Sequence, residues 1–251
     1  MRKETTLVIV AGGQGSRMWP LTERTPKALL PVRGIPILDR QLAWARVQGV
    51  DRIIVCLGHL ADVIETHLAT VSDCHGLDIC VSSEGDAALG TAGAVRLAID
   101  RGLVAGRFYS LYGDTIPALD LAAASKRWDE SALTALLCVF RTTSGEHARA
   151  QVLEDRVVRF SRYPTASEAP LMTHGDYGIA GFDTSHFAHL LVGARSGFGA
   201  IHAALAEYGE LAAHEVALPP TEIGTVRAYE LASASDRPAG PSVDGNQRSN
   251  R

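Results

Sequence analysis

The spacing of apolar positions along the chain alternates between two periods. Residues 5–11 (TTLVIVA) form a short apolar run that stops at Gly12-Gly13, which predicts a buried strand feeding a glycine-rich turn. Residues 37–48 place Ile37, Leu38, Leu42 and Ala45 at helical spacing and end against Gly49. They read as an amphipathic helix with a C-terminal stop. Residues 52–57 (RIIVCL) predict a second strand, 61–68 a short helix and 77–82 a third strand. A helix over 91–99 follows, then a strand over 108–112 closing on Gly113-Asp114, a helix over 119–128 and an apolar strand over 133–139. Strands joined by helices in this order predict an α/β fold: a doubly wound, mostly parallel, Rossmann-like sheet between helices, in three layers. Ligands of such sheets bind at the carboxyl ends of the strands, where Gly12-Gly13 and Gly113-Asp114 fall.

The second half is less regular. Residues 150–153 and 157–160 flank Glu154-Asp155 as a hairpin, and 161–172 is a loop rich in Pro, Ser and Thr. A strand over 177–182 and helices over 200–206 and 226–234 complete the pattern, and no internal repeat is visible. From Ser235 the sequence SDRPAGPSVDGNQRSNR has no apolar periodicity. It predicts a disordered tail over 236–251 behind a single domain over 1–235.

With 46% apolar and 21% charged residues among 251, the chain is expected to be a soluble globular protein. A net charge of −4 without a basic run argues against a nucleic-acid partner. No stretch approaches the roughly 20 apolar residues of a membrane span. The N-terminal LVIVA run is too short for a signal-peptide core and leads into glycines rather than a cleavage site. These features predict a cytoplasmic protein without a membrane partner, and they leave a homo-oligomer open. Cys56, Cys74, Cys80 and Cys138 form no CxxC pair and read as reduced, buried thiols rather than a zinc site.

The chemistry concentrates in residues 11–32, AGGQGSRMWPLTERTPKALLPV. Gly12, Gly13 and Gly15 allow positive φ and close backbone approach, and successive N–H groups in such a loop can cradle phosphate. Arg17 adds a planar fork of donors. Lys27, one of only three lysines (with Lys3 and Lys126), sits in a Pro-bounded loop beside it. The glycines alone would also fit an ordinary strand-to-helix turn. Met18 occupies the last position of a would-be GxGxxG, and no GxxxxGK[ST] occurs, so neither a dinucleotide fingerprint nor a P-loop is supported.

As a whole, the string resembles the signature of the sugar-phosphate nucleotidyltransferases, GGxGxRxxPLTxxxPKxLxPV. The resemblance implies that Ala11, Gly12, Gly13, Gly15 and Ser16 border the nucleotide phosphates. It also implies that Arg17 and Lys27 neutralise charge during transfer. Glu84 followed by Leu89-Gly90-Thr91-Ala92-Gly93 looks like the family's E…LGTAG segment, making Glu84, Gly90 and Thr91 nucleotide-side candidates. Thr91 also reads as a helix N-cap. Tyr112-Gly113-Asp114-Thr115 is similar to the family's GDT, in which the Asp binds Mg²⁺. A carboxylate at a strand end is also a suitable hard-oxygen ligand on chemical grounds. Thr221-Glu222-Ile223-Gly224-Thr225 looks like (D/E)IGT, implying Glu222 as the second metal carboxylate, where many relatives carry Asp.

Asp176-Tyr177-Gly178 resembles the DYG segment of a heptose-1-phosphate guanylyltransferase-like branch, implying sugar-side contacts at Asp176 and Gly178. A plain turn before a strand is the competing reading. Arg162 in FSRYP stands where many relatives carry a sugar-phosphate Lys, keeping the charge but not the geometry. His186 and His189 lack the Glu of a metalloprotease HExxH, and Trp44 and Trp128 fall on helical faces expected in the core.

The activity implied is transfer of a nucleoside monophosphate from a nucleoside triphosphate to a sugar 1-phosphate, with Mg²⁺, releasing pyrophosphate. Two alternatives stand beside it: a transferase for another hexose, a cyclitol or choline phosphate, and a non-catalytic nucleotide-sugar-binding regulatory subunit.

Overall fold

Each apolar run becomes a strand and each 3.6-period segment a helix, in the expected order. A computed structural model describes residues 4–75, 77–145, 147–190 and 196–235; the tail expected over 236–251 lies outside them. The first half comprises β1 (Thr6–Val10), β2 (Pro31–Val32), β3 (Ile35–Pro36), α1 (Ile37–Val47), β4 (Arg52–Leu57) and α2 (Ala61–His75). It continues with β5 (Asp78–Ser83), α3 (Gly90–Asp100), β6 (Arg107–Tyr112) and β7 (Thr115–Ile116). The second half comprises α4 (Leu121–Ser131), β8 (Ala135–Arg141), β9 (Ala150–Leu153), β10 (Arg156–Phe160) and β11 (His174–Asp183). It ends with α5 (Thr184–Phe187), α6 (Phe198–Glu207), β12 (Leu211–Val216), β13 (Thr221–Glu222) and α7 (Val226–Ala234).

Nine strands form one sheet in the order β5-β4-β1-β6-β11-β8-β12-β10-β9. The block β5-β4-β1-β6 is parallel, as crossover helices require. β11 then inserts antiparallel between β6 and β8, and β12 pairs parallel with β8, so the sheet as a whole is mixed. β11 arrives from the β9–β10 hairpin through a loop rather than a helix, which permits its reversed direction.

Alternate strand residues bury on opposite faces. Leu7, Ile9, Ile53 and Val55 pack with Leu38, Leu42, Trp44 and Trp128 under α1 and α4. Val8, Ile54 and Phe108 pack with Ala94, Val95, Phe198 and Ile201 under α3 and α6. These are the expected three layers. Both core tryptophans also satisfy their indole N–H, Trp44 on the Leu119 carbonyl and Trp128 on the Leu133 carbonyl, each at 3.1 Å.

Boundaries differ where local chemistry overrides periodicity. The fourth helix starts at Leu121 because the Asp120 side chain accepts from the Ala122 and Ala123 N–H groups, a cap contributing about 1 kcal/mol. The helix expected over 61–68 continues to His75. β12 (LAAHEV) was not expected; its alanines favour helix, and pairing with β8 decides otherwise. Cys56 and Cys138 are buried free thiols and Cys80 a partly buried one; the Cys74 side chain lies outside the described residues. Burial pushes the Cys56 thiol up to about 12, and the Cys138 thiol up as well. His186 and His189 are exposed. Among the described residues no helix is long and apolar enough to cross a membrane.

Candidate active site

The glycine loop leaves the sheet between β4 and β6. The Ala11 N–H donates to the Cys56 carbonyl at 2.9 Å and the Gly113 N–H to the Val10 carbonyl at 2.9 Å. The Ala11 amide is therefore engaged by the scaffold and is not free to meet an anion. Gly15 adopts φ 64°, and the Thr22 hydroxyl donates to its carbonyl at 2.9 Å. Ser16–Met18 form a 3₁₀ turn that buries Met18 and leaves Ser16 and Arg17 exposed.

Glycines allow three strand ends to meet here. The His59 N–H donates to the Gly12 carbonyl at 3.1 Å. A β-carbon on Gly58 would lie 2.6 Å from Glu84 Oε1 and 2.7 Å from the Gly12 carbonyl oxygen. The other Glu84 oxygen accepts the Leu89 N–H at 3.0 Å, fixing the start of the LGTAG segment. Thr91 does not cap its own helix. Its hydroxyl accepts the Phe198 N–H at 3.0 Å, and the cap position is Leu89. Gly90, at φ 78°, lies against the Ser196 carbonyl, which accepts the Ala92 N–H at 2.9 Å. Glu84 thus borders the glycine loop, whereas Gly90 and Thr91 are tied to the segment entering α6.

The charged centre forms at the end of β6. Lys27 opens a 3₁₀ turn whose Ala28 is buried, and its Nζ lies 2.6 Å from Asp114 Oδ2. β7 pairs with β13 in the register Thr115↔Glu222, and the Ile223 N–H donates to the Asp114 carbonyl at 2.9 Å. This pairing brings two carboxylates separated by more than a hundred residues to one point. Partial burial and then the Asp114 charge push the Glu222 carboxyl upward, opposed by Lys27, His147 and Arg17. A β-carbon on Gly224 would lie 3.0 Å from Glu222 Oε1 and 3.9 Å from Arg17 Nη1, so Arg17 reaches the same place. Two mutually repelling hard-oxygen donors beside a single lysine form a set that fits a divalent cation. Among the described residues no cluster of three or more His, Cys, Asp or Glu side chains suits a metal, so a cation here would need ligands besides these two carboxylates.

Asp176 of β11 faces this centre. Its Oδ1 accepts the Gly178 N–H at 2.8 Å. Gly178, at φ 89°, sits at a register shift where a β-carbon would lie 2.8 Å from Thr115 Oγ1. Burial pushes the Asp176 carboxyl up to about 6; the Gly178 bond opposes this, Glu222 adds to it, and Arg162 and a Tyr112 hydrogen bond oppose it. Arg162 is exposed, packs its stem against Gly199 at the start of α6, and holds its guanidinium 5.9 Å above the Tyr163 ring.

Lys27, Asp114, Glu222 and Arg17 therefore converge beside the glycine loop, with Asp176 and Gly178 adjoining and Arg162 at the rim. Residues 6–185 match the nucleotidyl transferase family. The chain belongs to that family. The matched span holds the glycine loop, Lys27, Asp114 and Asp176, while Glu222 comes from beyond it.

A UTP–glucose-1-phosphate uridylyltransferase from Synechocystis is 30% identical over 190 residues, 70% of this chain and 48% of that protein. A D-glycero-alpha-D-manno-heptose 1-phosphate guanylyltransferase from Aneurinibacillus thermoaerophilus is 30% identical over 120 residues, 48% of this chain and 50% of that protein. The matches thus span about half the length of these curated relatives. A crystal structure of UDP-glucose pyrophosphorylase complexed with UDP-glucose shares the fold, with TM-score 0.77 and 15% identity over 92% of this chain and 97% of that one.

Sequence reasoning did not single out three residues that pack around this site. Gly58 terminates β4 as Gly12 follows β1, a signal present in the strand-end glycines. His202 is a lone polar residue in the otherwise apolar FGAIHAALA. Ser196 carries no local signal, since its partners Leu89 and Ala92 are about a hundred positions away.

Proposed function

We propose that this nucleotidyl transferase joins a nucleoside triphosphate to a sugar 1-phosphate, forming a nucleotide-sugar and releasing pyrophosphate. The convergence of Lys27, Asp114 and Glu222 beside the Gly12–Gly15 loop carries this reading. The loop amides of Gly12, Gly13 and Gly15, with Ser16 and Arg17, hold the β and γ phosphates of the donor. Lys27 holds oxygens of the transferring and attacking phosphates. Glu84, Gly90 and Thr91 shape the nucleoside side, with Ala11 bracing the loop beneath. Asp114 and Glu222 would hold Mg²⁺, which withdraws charge from the transferring phosphate when bound. The attacking phosphate oxygen is already ionised, so no general base is needed. Catalysis rests on positioning and charge neutralisation by these side chains.

Asp176, Gly178 and Arg162 face the acceptor. The finer reading is a GDP-heptose-type product. It rests on the Asp176-Tyr177-Gly178 segment and on a relative named for heptose 1-phosphate; the uridylyltransferase relative makes UTP the competing donor.

The test is a pyrophosphate-release panel crossing ATP, CTP, GTP, UTP and dTTP with hexose and heptose 1-phosphates, with Mg²⁺ or with EDTA. Turnover of GTP with a heptose 1-phosphate, abolished by EDTA, is expected. Turnover with another pair overturns the finer reading alone. Silence from folded protein across the panel overturns the sugar 1-phosphate reading in favour of another acceptor or a regulatory subunit.

A further inference from the structure

His202 lies on α6 at 1% exposure, and neither ring nitrogen has a hydrogen-bond partner among the described residues. Its ring packs beside Phe182 and Phe198, which also face each other at 5.7 Å. Phe182 and Phe198 stack on it with interplanar angles of 8° and 10°, and Phe160 meets it edge-on at 5.0 Å. These rings hold the imidazole with Nδ1 4.0 Å from Asp176 Oδ2, about 1 Å beyond a hydrogen bond. Packing alone does not account for a histidine here. Two unpartnered buried nitrogens cost free energy that a phenylalanine in the same cage would not.

The partner has the complementary feature. One Asp176 oxygen is pinned by the Gly178 N–H at 2.8 Å, and Oδ2 is the oxygen turned toward His202. The side chain keeps 16% exposure, so it still opens onto the site.

We propose that His202 is a positioning residue for the acceptor. With its proton on Nδ1, it orients Asp176 Oδ2 so that the carboxylate receives a hydroxyl of the sugar 1-phosphate. Gly178, Tyr112 and, after a small approach, His202 would then hold the carboxylate, and an acceptor hydroxyl would add a further donor. Burial holds His202 neutral, with its pKa pushed down to about 3, so it acts as a hydrogen-bond donor and not as a charge. The inference rests on the sugar 1-phosphate reading of the site and adds a residue outside the family-matched span 6–185.

The test uses the whole chain, with the acceptor pair found active in the panel. His202→Phe keeps the aromatic stack and removes both nitrogens. Its KM for the sugar 1-phosphate should rise roughly tenfold, the order of one lost hydrogen bond to a charged group. Its KM for the nucleotide and its kcat should stay within roughly twofold, and its melting temperature should be retained. His202→Gln, which keeps a donor, should recover part of the acceptor affinity. In an Asp176→Asn background, His202→Phe should add little, because the two changes remove the same contact.

An unchanged acceptor KM in His202→Phe overturns the inference while leaving the transferase reading intact. So do additive effects in the double variant, or both KM values moving together with a fall in melting temperature. A wild-type protein silent across the panel overturns the inference together with the sugar 1-phosphate reading.

Discussion

Replacing Lys27 by Met removes a charge while keeping most of the side-chain volume. The Lys27–Asp114 contact at 2.6 Å corresponds to about 6 kcal/mol of gross attraction at an effective dielectric of about 20. Desolvation and residual exposure of 14% and 23% offset most of that. About 1–3 kcal/mol of folding stability should remain attributable to the pair, between the values for exposed and buried bridges. The loss includes the repulsion between Asp114 and Glu222, which Lys27 offsets in the wild type. For a chain of this size the melting temperature should fall by roughly 3–10 °C, leaving the protein folded at 25 °C.

Turnover should fall much further. One preorganised donor aimed at developing charge is worth about 10²–10³ in rate, and a full cation belongs at the upper end. The expected fall in kcat is therefore about 10³-fold, or about 4 kcal/mol of transition-state stabilisation. Pyrophosphate release measured beside circular dichroism separates the two effects. Lys27→Arg should recover stability more than rate, because a planar fork replaces a point charge. A folded Lys27→Met protein with kcat within about tenfold of wild type would refute the role given to this lysine.

Two further outcomes follow from the same geometry. Gly58→Ala puts a methyl group 2.6 Å from Glu84 Oε1 and 2.7 Å from the Gly12 carbonyl. It should cost about 1–3 kcal/mol in a urea titration and raise KM for the nucleotide more than for the acceptor; equal effects on both substrates would contradict the placement of Glu84. Acid stability should show His202 directly. Its pKa falls from 6.5 to about 3 on folding, so the folded state binds fewer protons and stability drops as pH falls through that window. Asp176, raised from 3.8 to about 6, acts in the opposite sense, gaining stability as pH falls from 6, but over a smaller displacement. In wild type the two effects largely offset each other between pH 7 and pH 4, whereas in His202→Phe the Asp176 gain is unopposed, so its urea midpoint should rise relative to wild type as pH falls; an identical pH dependence in both proteins would exclude His202 as a contributor.

Much of this protein was legible along the chain. Apolar runs located β1, β4 and β6, because a strand buried on both faces is largely apolar; the glycines that follow them, Gly12, Gly58 and Gly113, leave little or no room for a β-carbon. The same local reasoning singled out Gly12–Gly15 and Lys27, while Asp114 and Glu222 were picked out by the resemblance of their segments to the family's motifs. Pairing partners were not legible. The antiparallel insertion of β11, the β7–β13 ribbon that carries Glu222 to Asp114, and the alanine-rich β12 all depend on hydrogen bonds to distant segments. So does the use of Thr91, whose hydroxyl satisfies the Phe198 N–H and not an N–H of its own helix. Periodicity reports which face of an element is apolar, a property of neighbouring residues. Which elements meet, and how Asp176 comes to lie beside a neutral buried His202, is decided by burial in three dimensions, and only the tertiary structure supplies it.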